Sequence, residues 1–476
     1  MTAGGYEVYG EVDGRWFLES AHAEMGEAIG AMEALAGTHG HGYARVAVFE
    51  ERRFQPRKVR EQTCGGGGAP QVRVESLDDA PMCTQLAAYY GLPARLTLGR
   101  LLRRHLEADG VTALELLHDA VRLRRLLTDH QAASRALGHV AGLQARHQGV
   151  GYQARLDALH TAADHILAWA KRTRTRTGAR DALRKGGLPA VRERLPRRTS
   201  ETGAVIWQSA AVAHELHRHA EWDTKVAALT ELADVDPGDT LVAVDGALAE
   251  IFDGAEAMRS VVDWHPTLDG LERGLRPLIT LARGDAASDR LPTSAAERVR
   301  ALAATHGLPR TRHVVLERVD KGLRGVQPLR KEGGGDGDAL DSLVRALATP
   351  GGVVGGAEMA EALVHRARVA CSDGGEDLEP TAAVGAVVAR FPGPASRTGF
   401  LLALAGSTFG TQHMAAIKRQ LAQVIAGLDS AGALLPANDG ERAAVLRDLR
   451  AHLRDFERAH AADDVTVEAV RRVSAA

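Results

Sequence analysis

The segment from Lys171 to Arg198, KRTRTRTGARDALRKGGLPAVRERLPRR, is the strongest chemical feature of the sequence. It holds eleven basic residues, opposed only by Asp181 and Glu193. Arginine binds phosphate and carboxylate through paired hydrogen bonds, and lysine adds a point charge. The segment therefore predicts a polyanion-binding site formed by Lys171, Arg172, Arg174, Arg176, Arg180, Arg184, Lys185, Arg197 and Arg198.

Two features of this segment limit the prediction. Arg172, Arg174 and Arg176 alternate with threonine, a pattern that favours an extended or fraying segment over a helix interior. No aromatic residue interleaves with the basic ones, so stacking on nucleic-acid bases is not predicted. The alternative interpretation is a solvated loop in an arginine-rich chain, because arginine makes up most of the 59 basic residues.

The stretch HELHRHAEWD carries the residues that suggest a metal. His214 and His217 can share one face of a helix, which makes them weak metal-ligand candidates. The zinc-peptidase pattern requires a second histidine four residues after the first, and Arg218 occupies that position. The alternative is a polar helix face with partly buried histidines. No cofactor motif occurs in the sequence.

The stretch TCGGGGAPQVRVESLDDAPMC places cysteines on either side of four consecutive glycines. A phosphate-binding loop needs Gly-Lys-Ser/Thr after its glycines, and here Ala-Pro follows. Cys64 and Cys83 lack the paired short spacing of a structural zinc site. The stretch predicts a flexible linker, followed by a helix that Asp79 caps.

The first 60 residues predict a small unit of their own. YEVYGEVDGRWFLES alternates apolar and polar residues around Asp13-Gly14, which indicates a β-hairpin. Met25, Ile29 and Met32 lie at helical spacing in the next stretch, and GYARVAVFEERRF is typical of a strand. The order is β-β-α-β, with the helix covering one face of the sheet.

The rest of the chain predicts helices almost throughout. Two capping boxes, Thr112 with Glu115 and Ser294 with Glu297, mark helix starts, and Gly307 marks a helix end. No alternation of strands and helices indicates a doubly wound sheet. The predicted fold class is mainly α, a multi-helical body with a small N-terminal α/β unit.

Glycine-rich joints and the chain length predict several domains. At 476 residues a single core is not expected. We expect a β-β-α-β domain at 1–60, a flexible linker at 61–80, and a helical domain at 81–330 that a weak point at 183–203 divides into two lobes. A second linker at 331–338 then leads into a C-terminal helical domain at 339–476.

Composition bounds the compartment and the class of function. The net charge of −2 excludes a wholly basic nucleic-acid binder, so an electrostatic partner must use a local surface. Three cysteines do not make a disulfide framework, and no stretch is long and apolar enough to span a bilayer. The N-terminus lacks the pattern of a secretory signal. These features predict a soluble cytoplasmic protein.

Three functional hypotheses follow. The first is a non-enzymatic interaction or regulatory protein that docks a protein partner or a second copy of itself. The second is a binder of nucleic acid or another polyanion through residues 171–198. The third is a metal-dependent enzyme with a His-lined site around His214 and His217. The sequence favours the first, because it shows flexible joints and no catalytic signature.

Overall fold

The computed structural model is mainly α-helical with a small antiparallel sheet near the N-terminus, which confirms the predicted fold class. The chain forms two compact units. The first comprises residues 1–182 and 191–217, and the second comprises residues 183–190 and 218–476. The structure describes residues 6–12, 15–22, 24–37, 45–50, 57–63, 72–128, 130–174, 178–262, 264, 270–284, 294–325, 327–330, 336–371, 378–427, 434–435 and 439–459.

The N-terminal part is a four-stranded antiparallel sheet with one helix. Its elements are β1 (Tyr6–Val12), β2 (Arg15–His22), α1 (Met25–Gly37), β3 (Arg45–Glu50) and β4 (Arg57–Thr63). The strand order is β2-β1-β3-β4. Val12 pairs with Arg15, so the predicted hairpin is confirmed, although Asp13 and Gly14 lie outside the described residues. The fourth strand was not predicted, because Val59 is the only apolar residue in RKVREQT.

Helix α1 covers one face of this sheet. Val8, Val46 and Val48 alternate inward and pack against Met32 of the helix in a small buried core. The opposite face carries partly exposed aromatic side chains, with Phe49 edge-on to neighbouring rings. The two faces follow the two-residue period of a strand, which places the apolar residues under the helix.

The first unit continues as a set of helices. They are a 3₁₀ helix (Leu86–Tyr90), α2 (Leu92–Leu101), α3 (Arg103–Ala108), α4 (Ala113–His118), α5 (Ala120–Thr128), α6 (His130–Gln148), α7 (Tyr152–Thr173), α8 (Gly178–Glu193) and α9 (Glu201–Leu216). Residues 183–190, in the middle of α8, belong to the second unit. Helix α4 packs against α7 and α9, and α5 against α6 and α7. Their buried leucines and alanines form the core of the unit.

The segment before these helices differs from the prediction. Asp79 accepts a hydrogen bond from the Ala80 amide at 2.8 Å, but no helix begins there, so the predicted helix start is wrong. Residues 72–84 contain no helix or strand, and the carbonyls of Pro81 and Cys83 accept hydrogen bonds from side chains of α6 and α7. Hydrogen bonds from distant side chains therefore hold this segment in a non-helical conformation.

The second unit is helical with one short hairpin. Its elements are α10 (Trp222–Val235), α11 (Asp239–Asp253), α12 (Ala255–Val262), α13 (Leu271–Arg283), α14 (Ala295–His306), α15 (Pro309–Arg324), α16 (Asp336–Leu347), β5 (Ala348–Thr349), β6 (Gly352–Val353), α17 (Gly356–Ala370), α18 (Pro380–Arg390), α19 (Pro394–Ala405), α20 (Thr408–Ala426) and α21 (Asp439–Ala459). Helix α15 packs against α11, α13 and α17, and α19 packs against α17, α20 and α21.

Local sequence signals place the helix ends correctly. Thr112 Oγ1 accepts from the Glu115 amide at 3.2 Å and the Glu115 carboxylate accepts from the Thr112 amide at 2.9 Å, a complete capping box. Ser294 and Glu297 repeat this arrangement at the start of α14. Gly307 ends α14 with a φ of 83°, a conformation that glycine adopts without strain.

The predicted linkers are only partly described. Residues 65–68 and 331–335 lie outside the described residues, and so do Cys64 and the rest of 64–71. Residues 61–63 belong to β4, and residues 336–338 begin α16. The predicted domain boundaries stay predictions. No helix in the described part of the chain is long and apolar enough to cross a membrane.

Candidate functional site

The first two basic residues of the segment lie on a helix, whereas the Thr-Arg alternation favoured an extended or fraying segment. Lys171 and Arg172 belong to α7, which runs to Thr173, and Arg174 caps it. Ala170 and Thr173 are fully buried and anchor this last turn, so packing overrides the weak helix preference of threonine. Arg176 lies outside the described residues.

Helix α8 breaks in its middle and turns back. Gly186 and Gly187 have non-helical backbone angles, and Gly187 has a φ of 66°. Pro189 follows the break and cannot continue an α-helical hydrogen-bond ladder. The Arg194 guanidinium donates to the carbonyl of Gly178 at 3.0 Å, so the end of α8 returns to its beginning.

This return brings two basic runs together. Arg174 precedes Gly178 by four residues, and Arg197 follows Arg194 by three. At about 3.5 Å per extended residue, the Arg174 Cα lies within about 14 Å of the Gly178 Cα, and the Arg197 Cα lies within about 11 Å of the Arg194 Cα. We call these side chains of the first unit the basic surface: Lys171, Arg172, Arg174, Arg192, Arg194, Arg197 and Arg198.

Most charges of the basic surface are exposed and carry no ion pair. All seven side chains are exposed. Among the described residues, no carboxylate lies within 4.0 Å of Lys171, Arg174, Arg192, Arg197 or Arg198. The Arg172 guanidinium lies over the Trp169 ring at 5.4 Å from its centroid, which orients this side chain by a cation–π contact. The surface is therefore strongly positive.

The remaining predicted residues do not join this surface. Arg180 lies 4.0 Å from the buried Glu215 carboxylate and 3.6 Å from Asp181, so nearby carboxylates balance its charge. Arg184 and Lys185 are exposed but belong to residues 183–190 of the second unit. Arg192 and Arg194 were absent from the predicted site, although their position within the basic segment was a sufficient signal.

The two histidines that suggested a metal lie at the end of α9. His214 is in the helix and His217 caps it. Burial lowers the pKa of His214, and repulsion from His217 and Arg180 lowers it further. His217 Nδ1 lies 3.8 Å from the Glu115 carboxylate. Across the described ranges no group of three or more His, Cys, Asp or Glu side chains could hold a metal ion.

A buried histidine near these residues was not predicted. His118 at the end of α4 is 3% exposed, and its Nε2 lies 2.9 Å from Ser209 Oγ on α9. Burial lowers the pKa of His118 to about 3, helped by the charges of His214 and Arg95. Catalysis by a serine–histidine pair also needs a carboxylate that orients the imidazole. His118 Nδ1 has no hydrogen-bond partner in the described part of the molecule, so the pair does not form such a triad.

Comparison of the chain with protein-family models, with curated proteins and with solved structures found no match. The assignment of function therefore depends on the geometry of the chain itself.

Proposed function

We propose that the chain is a non-enzymatic interaction protein whose basic surface binds the phosphate backbone of a nucleic acid. The observation that supports this proposal is the return of α8, which brings two runs of exposed cations together. Each phosphate contact by lysine or arginine releases condensed counterions, and this release drives binding. The proposal includes a cytoplasmic location and no cofactor.

The composition of the basic surface favours a phosphate backbone over an acidic protein face. Protein interfaces have an apolar core with aromatic anchors. The large exposed hydrophobic side chains of the described residues all lie outside 171–198. Since no aromatic residue of the segment is available for base stacking, binding should be independent of nucleotide sequence.

Protein docking, which the sequence favoured as a general role, gains little support at the β4 edge of the N-terminal sheet. The edge strand β4 carries Arg57, Lys58, Arg60 and Glu61, and charged edge strands resist pairing with another chain. Self-association or a protein partner elsewhere on the molecule stays a prediction. The His-lined metal enzyme gains no support from the geometry around His214.

Fluorescence anisotropy with a labelled 30-base-pair DNA and a single-stranded RNA tests the proposal on the full chain. Titration between about 50 and 200 mM salt should give a linear log–log plot, with a slope near −0.9 per contacted phosphate on the DNA and about −0.7 on the single-stranded RNA. Arg197→Glu with Arg198→Glu should weaken binding to every sequence and flatten the slope by about two.

The matched control is Arg124→Glu with Arg125→Glu, two adjacent exposed arginines on α5. This double substitution changes the net charge by the same amount as the first one. It therefore distinguishes an effect of the basic surface from an effect of the total charge of the molecule. Equal losses in the two double variants, or affinity that does not depend on salt, would reject the basic surface as the binding site.

A further inference from the structure

An apolar cavity lies among α2, α5, α6 and α7 of the first unit. Its volume is about 150 Å³, and leucine and alanine side chains make up most of its wall. Protein interiors contain few voids larger than a water molecule. Apolar cavities of about this volume stay free of water and bind ring-sized hydrocarbons. The cavity therefore suits the apolar body of a small molecule.

One part of the cavity wall is polar. Cys83, Tyr89 and Gln144 line it together. Burial raises the pKa of the Cys83 thiol, so it stays protonated at neutral pH. Gln144 Nε2 donates one hydrogen bond, to the Pro81 carbonyl at 2.6 Å, and an amide nitrogen has two hydrogens. Donors are therefore available at this end of the cavity.

Arg155, which does not itself line the cavity, donates hydrogen bonds to all three of these residues. Its Nε donates to Gln144 Oε1 at 2.5 Å. Its Nη2 donates to the Cys83 carbonyl at 3.1 Å and to the Tyr89 hydroxyl at 3.2 Å. The Tyr89 hydroxyl in turn donates its own hydrogen to the Cys83 carbonyl at 3.1 Å. The guanidinium charge thus lies one side chain away from the cavity.

The charge of Arg155 has no counter-ion. The residue is 8% exposed, and all of its hydrogen-bond acceptors are neutral. Within the described ranges no carboxylate lies within ion-pair distance of it. Burying a charge without a partner of opposite charge is costly. An anion beside Tyr89 and Gln144 would compensate this charge.

We propose that the cavity binds a small monocarboxylate whose apolar body has about six to eight carbons. The apolar body fills the cavity, and the carboxylate accepts the second hydrogen of Gln144 Nε2 in the field of Arg155. An uncharged hydrocarbon fits the same walls but leaves the guanidinium uncompensated. This site is separate from the basic surface, so either assignment can fail without the other.

Isothermal titration of the full chain with octanoate and with 1-octanol tests the proposal. Octanoate should bind with submillimolar affinity and 1-octanol at least about tenfold more weakly, because only the carboxylate makes charge-assisted hydrogen bonds. Arg155→Gln should abolish this preference. If the unaltered chain binds neither compound, or binds both equally, the proposal is wrong.

A matched pair of substitutions on α7 locates the binding. Ala163 lines the cavity and Ala154 is exposed on the same helix. Ala163→Leu should weaken both compounds by at least about tenfold, and Ala154→Leu should leave both unchanged. Unchanged octanoate binding in folded Ala163→Leu would place it outside the cavity and overturn the proposal. Should that variant not fold, the octanoate–octanol ratio of the unaltered chain decides.

Discussion

Two buried arginines, one in each unit, differ in what accepts their hydrogen bonds. Arg366 on α17 is 1% exposed and donates to four main-chain carbonyls, those of Gly322, Leu323, Gly325 and Gln327, at 2.7 to 2.9 Å. Gly322, Leu323 and Gly325 lie at the end of α15, where the last carbonyls have no i+4 amide partner in the helix, and Gln327 follows the helix. Arg155 instead donates to the groups that line a cavity.

The difference shows how one residue type serves two purposes. Arg366 lies at the negative end of a helix dipole, so main-chain partial charges stabilise its cation. Desolvation lowers the pKa of Arg366, and the charge of Asp336 raises it. Arg155 has fewer acceptors and an adjacent void, which leaves room for a ligand. Burial alone would have assigned both arginines the same role.

Replacing Arg366 tests the structural side of this comparison and should have the largest effect. Arg366→Met removes a donor from four carbonyls, of which only Gly322 keeps a main-chain donor, the Gly325 amide, among those described, and should lower the free energy of unfolding of the second unit by about 3–5 kcal/mol. Urea unfolding with hydrogen exchange of α15 and α17 peptides measures it. The control Arg345→Met, at an exposed position of α16, should stay within about 0.5 kcal/mol. Equal losses would contradict the capping role.

Acid should weaken the first unit selectively through His118. Its pKa is about 3 in the folded state, against about 6.5 in the unfolded state. The unfolded state therefore binds the extra proton between these values, and stability falls as the pH falls below about 6.5. The loss should be at most about 1.4 kcal/mol per pH unit down to about pH 3.

Hydrogen exchange of α4 and α9 peptides at pH 6.5 and pH 5, corrected for intrinsic exchange, measures this slope. His118→Gln should remove most of it, while the peptides of α17 keep the wild-type response. An unchanged dependence of stability on pH in the variant would show that groups other than His118 cause the acid response of the first unit.

Replacing Arg155 should cost less than replacing Arg366. Without a ligand, Arg155→Met removes one cation that has no counter-ion and leaves three neutral acceptors, so we expect a loss of about 1–2 kcal/mol in the first unit. The same urea and exchange experiment measures it on α6 and α7 peptides. A loss as large as that of Arg366→Met would show that Arg155 is primarily structural.

The smallest predicted effects are those of two glycine-to-alanine substitutions, one on α6 where space is open and one on α15 where packing is tight. A Cβ added at Gly142 of α6 meets nothing within 4 Å, so Gly142→Ala should stabilise the first unit by about 0.5–1 kcal/mol. A Cβ at Gly322 of α15 would lie 3.0 Å from Leu275 Cδ2, so Gly322→Ala should gain nothing. Thermal unfolding of the two variants checks the sign; a gain at Gly322 would contradict tight packing there.

Much of the fold could be predicted from local signals, because capping boxes and helical spacing act within a few residues. The missed strand β4 and the wrong helix start at Asp79 have another cause. β4 is held by pairing with β3, and residues 72–84 are held by side chains of distant helices. Such long-range hydrogen bonds leave no local pattern for the sequence to reveal.

The candidate sites were predictable to different degrees. The basic run was visible in the sequence, but its return at Gly186–Gly187 was not. Arg155 shares a helical stripe with the buried Leu159 and Ile166, and this position on an apolar face was a signal that it is buried. The sequence could not separate Arg155 from Arg366, which also lies on a buried stripe of its helix. Only the groups that accept their hydrogen bonds in the folded structure distinguish the two arginines.

The division of α8 has a consequence for inheritance. Because residues 183–190 belong to the second unit, the chain passes from one unit to the other three times, after residues 182, 190 and 217. The Leu188 amide donates to Thr240 Oγ1 at 2.8 Å, and a Cβ at Gly187 would clash with that same oxygen. No single cut in the gene leaves either unit with all of its residues. Recombination would therefore have to transfer the two units together.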